Sequence, residues 1–435
     1  MRYASTRGQS PVTDIDLALE AGLAPDGGLY VPMHIPQLAK AACWPDLASA
    51  ATAILSPFFT ASRLCERLPQ LCTEAFNFAA PLRHMRGEGD FLLELFHGST
   101  AAFKDYAARF LAASLAALRD NTAPTRTIMV ATSGDTGAAV AAAFHRRAGF
   151  RVVILYPQGR VSPRQAHGLE CWGENIHTLR IAGSFDDCQR LAKTALSDNE
   201  LRARLPLGSA NSISLGRLLP QIAYYGHSAC IFFAEHGQRL NFIIPTGNLG
   251  NASAAFLARQ MGLPVGDIHL ACNANDTLPR FFQGHDYAAQ ATRATLANAM
   301  DVGAPSNFER LRYWHDSDAE LRSAISASSS DDATIRAEIA AAPTHHGITP
   351  CPHTACGLAA LRTLRKAGDN RPWAVVATAH PAKFESIVEP LTGHTIPLPA
   401  ALARSLARPA QGESLANDYS ALRQWLLASC TDSRA

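Results

Sequence analysis

The chain has no run of about eighteen apolar residues, the length that spans a bilayer as a helix. Its opening residues, MRYASTRGQSPVTD, hold no apolar core of the kind found in secretory signals. A membrane role therefore has no support, and a cytoplasmic location is expected. Charge is also sparse, at 17% of residues with a net charge of +2. That leaves no basic excess for nucleic-acid binding. The ten cysteines are scattered rather than spaced as a framework, and are read as reduced, buried small hydrophobes. Cys351, His353 and Cys356 fall close together in CPHTAC, behind His345 and His346. No fourth ligand or usual Cys–Cys spacing accompanies them, so no metal is assigned, and they are read as core or pocket-lining residues.

What is present is strand and helix in alternation. At 435 residues, 47% of them apolar, the chain predicts two or three packed domains. FLLELF (91–96) leads through Gly-Ser-Thr to Lys104, and Ala107, Phe110, Leu111, Leu115 and Leu118 then mark one face of a helix. TRTIMVATS (125–133), a helix over 137–149 and RVVILYP (151–157) form a strand–helix–strand unit with a right-handed crossover. NIHTLRIAG follows, then a helix from SFDDCQ that Ser184 or Asp186 could cap, and a long helical stretch over 214–236. Strand NFIIPT (241–246), helix 252–262, strand DIHLAC (267–272) and the late strand WAVVAT (373–378) complete the pattern. The division predicted is an N-terminal accessory region over 1–95, a smaller α/β domain over 96–225 and a larger one over 226–435. Residues 315–345 read as surface helix or an insertion.

Polar loops fall at the C-terminal ends of strands, where open parallel sheets bind ligands. Lys104, at the mouth of a helix beside aromatics, is easily desolvated, which favours the neutral amine that attacks carbonyls. Gly247-Asn248-Leu249-Gly250-Asn251 joins a strand to a helix, and its glycines and free N–H groups suit a phosphate monoester. It lacks both the Gly-Lys-Ser/Thr of a Walker loop and the Gly-x-Gly-x-x-Gly of dinucleotide folds. In Thr132-Ser133-Gly134-Asp135-Thr136-Gly137 the hydroxyls and helix-start N–H groups suit a carboxylate; the competing reading is a plain cap by Ser133 or Asp135. Thr378, ending WAVVAT, can hydrogen-bond a ring nitrogen without imposing a full charge.

Together these segments resemble the pyridoxal-phosphate enzymes of the tryptophan synthase β-like group (fold type II), and within it the threonine synthase family. The resemblance runs nearly end to end. It includes GLAPDGGLYVP (22–32), ELFHGSTAAFKD (94–105), ATSGDTGAAV (131–140), VILYPQGRVSP (153–163), NSISLGRLLPQ (211–221), PTGNLGN (245–251), NAMDVGAPSNFER (298–310), PHTA (352–355) and ATAHPAKF (377–384). It implies two open, twisted parallel-sheet α/β domains with an N-terminal accessory region, and pyridoxal 5'-phosphate bound covalently to Lys104. Gly247–Asn251 would hold the cofactor phosphate and Thr378 would meet its ring nitrogen. Ser133, Gly134 and Thr136 would grip the substrate carboxylate. Asp135 stands where related sulfhydrylases carry asparagine near the cofactor's phenolic oxygen; two facing anions would share a proton.

The reaction implied is conversion of O-phospho-L-homoserine and water to L-threonine and phosphate. The substrate phosphate needs its own cations, for which Arg160 and Arg217 are favoured, with Ser212 and Asn211 adding hydrogen bonds and Arg164 or Lys383 as further candidates. The chain departs from the family at Ser99, where proline is usual, at Cys351, where an acid is usual, and at Ala166-His167, where Gln-Glu-Lys is usual after Ser-Pro. These departures keep a second activity in view, a phospholyase that releases a keto acid, ammonia and phosphate. A cofactor-binding protein without turnover is a third reading, opposed by the intact Lys104 and both glycine loops. No nucleic-acid or membrane partner is expected, and the assembly is a monomer or homodimer.

Overall fold

The β-branched runs become strands buried on both faces, as parallel sheets covered by helices require. Ile243, Ile244, Val375 and Val376 are sealed from solvent in one sheet, and Val152, Val153, Ile154 and Leu155 in the other. The computed structural model describes residues 1–38 and 43–430. One sheet has six strands in the order Ser326–Ser329, Val265–Cys272, Leu240–Pro245, Trp373–Ala377, Asp90–Glu94 and Leu82–His84. All neighbours in it are parallel except the last pair. The second sheet has five parallel strands, Gly412–Leu415, Ile176–Ile181, Phe150–Pro157, Arg126–Ala131 and Leu207–Ser209. The two open parallel sheets expected from the sequence are thus present.

The sheets do not follow the linear division of the chain. The six-stranded sheet takes Leu82–His84 and Asp90–Glu94 from the stretch assigned to the N-terminal region, and the five-stranded sheet takes Gly412–Leu415 from near the C-terminus. Residues 315–345 are not an insertion: Ser326–Ser329 is the parallel edge strand of the six-stranded sheet, leading into the helix Asp332–His345. A strand spelled Ser-Ala-Ser-Ser carries almost no β signal, and only its neighbour Val265–Cys272 makes it one. The long helix expected over 214–236 is broken. Leu215–Leu218 ends in a 3-10 turn, Leu219–Gln221, before Ile222–His236 begins, because Pro220 lacks the N–H that a continuous helix needs. Ser184, rather than Asp186, caps the helix Phe185–Ser197, in a capping box with Asp187. The helix expected over 137–149 spans Asp135–Phe144, starting earlier and ending sooner.

The accessory region is built from the antiparallel pair Tyr3–Ser5 and Tyr30–Pro32 with the helices Ile15–Ala21, Leu47–Leu55 and Leu68–Ala75. It packs on the helix Lys104–Leu118. Phe59 meets Phe110 edge-to-face at 5.9 Å, and Phe76 and Phe78 flank Tyr106. The helix that carries Lys104 is therefore clamped between this region and the helices Asp135–Phe144 and Leu215–Leu218. No helix of the described residues is long and apolar enough to cross a membrane. Truncating Phe110 to alanine is expected to lower stability by about 3–5 kcal/mol, seen as an earlier urea midpoint with an unchanged slope.

Candidate active site

Lys104 is the first residue of the helix Lys104–Leu118, just beyond the C-terminal end of strand Asp90–Glu94. The loop between them is fastened at both sides. Phe103 N–H donates to Thr378 O at 2.8 Å and His380 N–H to Ala101 O at 3.0 Å, so the loop runs antiparallel to the segment after Trp373–Ala377. Inside the loop, Thr100 N–H and its hydroxyl donate to the Asp105 carboxylate at 2.8 and 2.6 Å. These ties bring Lys104 and Thr378 to the wall of one cavity. The Lys104 amine makes no hydrogen bond or ion pair among the described residues; it lies 5.5 Å from the centre of the Phe103 ring. Desolvation lowers its pKa to about 8, with Arg217 and Lys383 pushing the same way and Asp135 opposing.

The TSGDTG loop enters the cavity from the other sheet. Gly134 has φ +133°, and a Cβ there would lie 2.7 Å from Gln165 Nε2, so only glycine fits. Neither Ser133 nor Asp135 caps the helix Asp135–Phe144. Thr132 Oγ1 instead accepts from the N–H groups of Gly134 and Gly137, both at 3.0 Å. Ser133, Asp135 and Thr136 line the cavity. Asp135 is 3% exposed and lies 2.6 Å from Lys383 Nζ. Gln165 Nε2 also donates to it, at 3.2 Å. Burial opposes its charge, but the neighbouring Lys383 and Lys104 ammoniums outweigh burial and hold the carboxyl well below its usual range. His353 is neutral, pushed down to about 4 chiefly by burial, and its Nε2 accepts from Ala299 N–H at 3.2 Å.

The third wall is the turn after Leu240–Pro245. Gly247, Asn248, Leu249, Gly250 and Asn251 all line the cavity. Leu249 is left-handed, with φ +64°, and no side chain caps the helix Gly250–Gln260. Its free N–H groups form an anion site. A Cβ on Gly247 would meet the Met300 backbone at 2.7 Å. Tyr224 and Tyr225 hydroxyls both reach Asn251 Oδ1, at 2.5 and 2.9 Å, leaving buried Asn251 Nδ2 without a protein partner. An orphaned donor, an uncapped helix start, a close backbone and a free lysine amine fit pyridoxal phosphate.

Of the four basic side chains considered for a second phosphate, only Arg217 lines the cavity. Arg217 is 2% exposed, lines the cavity and has no ion-pair partner among the described residues. Its Nη1 donates to Ala210 O at 2.6 Å, its Nε has no partner, and burial lowers its pKa to about 10. Ser212 and Asn211 stand beside it in the lining. Arg160 does not join them. It is exposed in the turn after Phe150–Pro157, its N–H bonded to Pro157 O, and it is absent from the cavity wall, because the polar turn Gln158-Gly159 carries it out to solvent. Arg164 is engaged with Ala382 O and Glu385, and Lys383 with Asp135.

Comparison with known proteins agrees with this geometry. Residues 82–382 match the family described as pyridoxal-phosphate dependent enzyme, residues 2–76 the threonine synthase N terminus and residues 354–426 the threonine synthase C-terminal family. Threonine synthase of Serratia marcescens is 39% identical over 422 residues, covering 94% of this chain and 95% of that protein. The chain belongs to the threonine synthase family. The crystal structure of threonine synthase from Escherichia coli superposes with a TM-score of 0.91 at 36% identity, over 98% of this chain and 100% of that one. Pyridoxal-phosphate-bound threonine synthase from Brucella melitensis superposes with a TM-score of 0.90 at 35% identity over the full length of both.

The three departures from the threonine synthase pattern lie off the cavity wall: Ser99, Cys351, Ala166 and His167 are all absent from it. Cys351 caps the helix Pro352–Lys366, its Sγ accepting from Thr354 N–H at 3.5 Å. An acid there would cap more strongly, and burial raises the thiol's pKa so that it stays neutral. Among the described residues no group of three or more His, Cys, Asp or Glu side chains is placed to hold a metal ion.

Sequence reasoning missed the supports. Arg310, fully buried, donates to Tyr30 O at 3.1 Å, Ile213 O at 2.7 Å and Asn307 Oδ1 at 2.5 Å. Asn307 in turn donates to Asn248 O at 2.9 Å. The recurrence of NSIS and NAMDVGAPSNFER among the family-like segments was the only signal for them. In cofactor-free protein, Lys104 is expected to gain reactivity towards an amine-directed reagent as pH rises through about 8, roughly two units below an ordinary lysine. Peptide mapping of the labelled protein measures it, and a midpoint at the ordinary value would contradict the desolvated site.

Proposed function

We propose that this chain converts O-phospho-L-homoserine and water to L-threonine and phosphate, with pyridoxal phosphate attached to Lys104. The reading rests on one cavity that joins a lysine amine without a partner among the described residues, two helix starts whose N-cap residues carry no capping side chain and a buried arginine with no ion pair among the described residues. Gly247, Asn248, Leu249, Gly250 and Asn251 hold the cofactor phosphate through helix-start N–H groups. Thr378 would serve the ring nitrogen as a neutral hydrogen-bonding partner, and Asp135 would lie at the phenolic edge. When bound, the cofactor supplies an electron sink for negative charge on the substrate carbons.

The protein's own groups order the remaining steps. Ser133, Gly134 and Thr136 receive the substrate carboxylate at the start of the helix Asp135–Phe144. Arg217 and Ser212 hold the substrate phosphate, which fixes the γ carbon relative to Lys104. With a pKa near neutrality, the Lys104 amine can take the α proton and later the β proton, and return them. The γ carbon–oxygen bond breaks as phosphate leaves, a proton is restored to the γ carbon, and water adds its hydroxyl at the β carbon. The phospholyase alternative is not favoured, since the departures that raised it lie away from the cavity and the close relatives are threonine synthases. The enzyme works in the cytoplasm as a monomer or homodimer.

Incubating cofactor-loaded protein with O-phospho-L-homoserine is expected to release phosphate matched mole for mole by threonine. Phosphate matched by 2-oxobutyrate would overturn the assignment in favour of the lyase. Replacing Arg217 by methionine is expected to lower kcat/KM for this substrate by about 10- to 100-fold, mostly through KM. Steady-state kinetics with phosphate detection reads this split.

A further inference from the structure

Lys383 contributes nothing to the cavity wall, yet it is the cation closest to Asp135. Its side chain is 4% exposed, and its ammonium lies 2.6 Å from Asp135 Oδ1. It also donates to Thr100 O at 2.9 Å. Thr100 belongs to the loop that presents Lys104 and is itself bound to Asp105. Asp135 opens a helix that follows a strand of the other sheet. One ammonium thus ties the lysine loop of the six-stranded sheet to the aspartate of the five-stranded sheet. Its backbone is fixed as well: Ser162 Oγ donates to Lys383 O at 2.7 Å and Arg164 Nη1 to Ala382 O at 2.6 Å.

This arrangement bears on why an aspartate can stand where related enzymes use a neutral asparagine. A buried carboxylate beside an anionic phenolic oxygen is unfavourable unless a proton or a cation intervenes. We infer that Lys383 is a positioning residue that neutralises Asp135, so that the pair, rather than Asp135 alone, faces the phenolic edge of the cofactor and sets the protonation of the Lys104–cofactor linkage. The inference rests on the proposed attachment to Lys104. The charged and titratable groups around the linkage are Asp135 and Lys383, Arg217 on the far side, Asp105 behind the loop, and neutral His353. With Asp135 and Lys383 paired, their effects on Lys104 oppose each other: the aspartate raises its proton affinity and the lysine lowers it.

The test is the visible absorbance titration of cofactor-loaded protein, which follows linkage protonation without turnover. Asp135→Asn leaves the Lys383 ammonium uncompensated, and the midpoint is expected to fall by about one pH unit or more. Adding Lys383→Met to Asp135→Asn removes both charges and is expected to return the midpoint to within about half a unit of wild type. Lys383→Arg keeps the cation and is expected to titrate like wild type. Lys383→Gln, combined with Asp135→Asn, serves if the methionine variant does not fold, since it retains a donor for Thr100 O. A double variant that titrates like Asp135→Asn alone would overturn the inference, as would an Asp135→Asn midpoint that does not move. Borohydride reduction and peptide mapping of the same samples separate the two failures. Cofactor found on another lysine removes the underlying reading and this inference with it; cofactor on Lys104 with an unrestored double variant removes this inference alone.

Discussion

Burying several charges around one amine is the constraint that the rest of the molecule answers. Lys104, Asp105, Asp135, Arg217 and Lys383 are gathered into a few strand ends, and each charged group taken from water must find a partner or change its protonation. Asp105 finds Thr100, Asp135 finds Lys383 and Gln165, and Arg217 finds a single carbonyl. The Lys104 amine has no hydrogen bond or ion pair among the described residues, and its pKa falls to about 8. The free amine follows from where the available partners run out.

Such a balance demands rigidity, because a displaced partner would leave a carboxylate buried and unpaired. The structure supplies it through ties between segments distant in sequence. The lysine loop is bound to residues 378–380, and Arg310 joins Tyr30, Ile213 and Asn307 while Asn307 holds the backbone of Asn248. The N-terminal region takes part by clamping the helix that carries Lys104, and Gly216 lies so close to Leu19 and Leu111 that a side chain there would displace one of them. Arg217 is therefore placed by packing as much as by its own hydrogen bond.

Two helix starts, one following a strand of each sheet, border the same cavity. An N-terminus without a cap offers N–H groups to an anion, and neither Gly134 nor Leu249 fills that role for its helix. Of the two residues weighed as ordinary caps, Ser133 is left on the cavity wall and Asp135 is paired with Lys383. In the TSGDTG loop the hydroxyl of Thr132 takes up two N–H groups within the turn, which shapes the loop without closing the helix start to the cavity.

Local pattern was enough for much of this. The β-branched runs determined the central strands, alanine-rich amphipathic stretches their helices, and the glycine loops marked the strand ends; Lys104, Asp135, Thr378 and the Gly247–Asn251 turn stood out as candidates by residue type and place, and the family resemblance gave them their expected roles. Tertiary structure decided the matters that depend on distant partners. Ser326–Ser329 is a strand only because Val265–Cys272 lies beside it. Arg160 and Arg217 looked alike as phosphate ligands, yet one is carried to solvent by a polar turn and the other is buried in the cavity. Lys383 stood among the candidates for the substrate phosphate until the fold set it against Asp135, 248 positions earlier in the chain. Charge in a sequence has no address, and only packing determines which charges lose their water and which partners they meet.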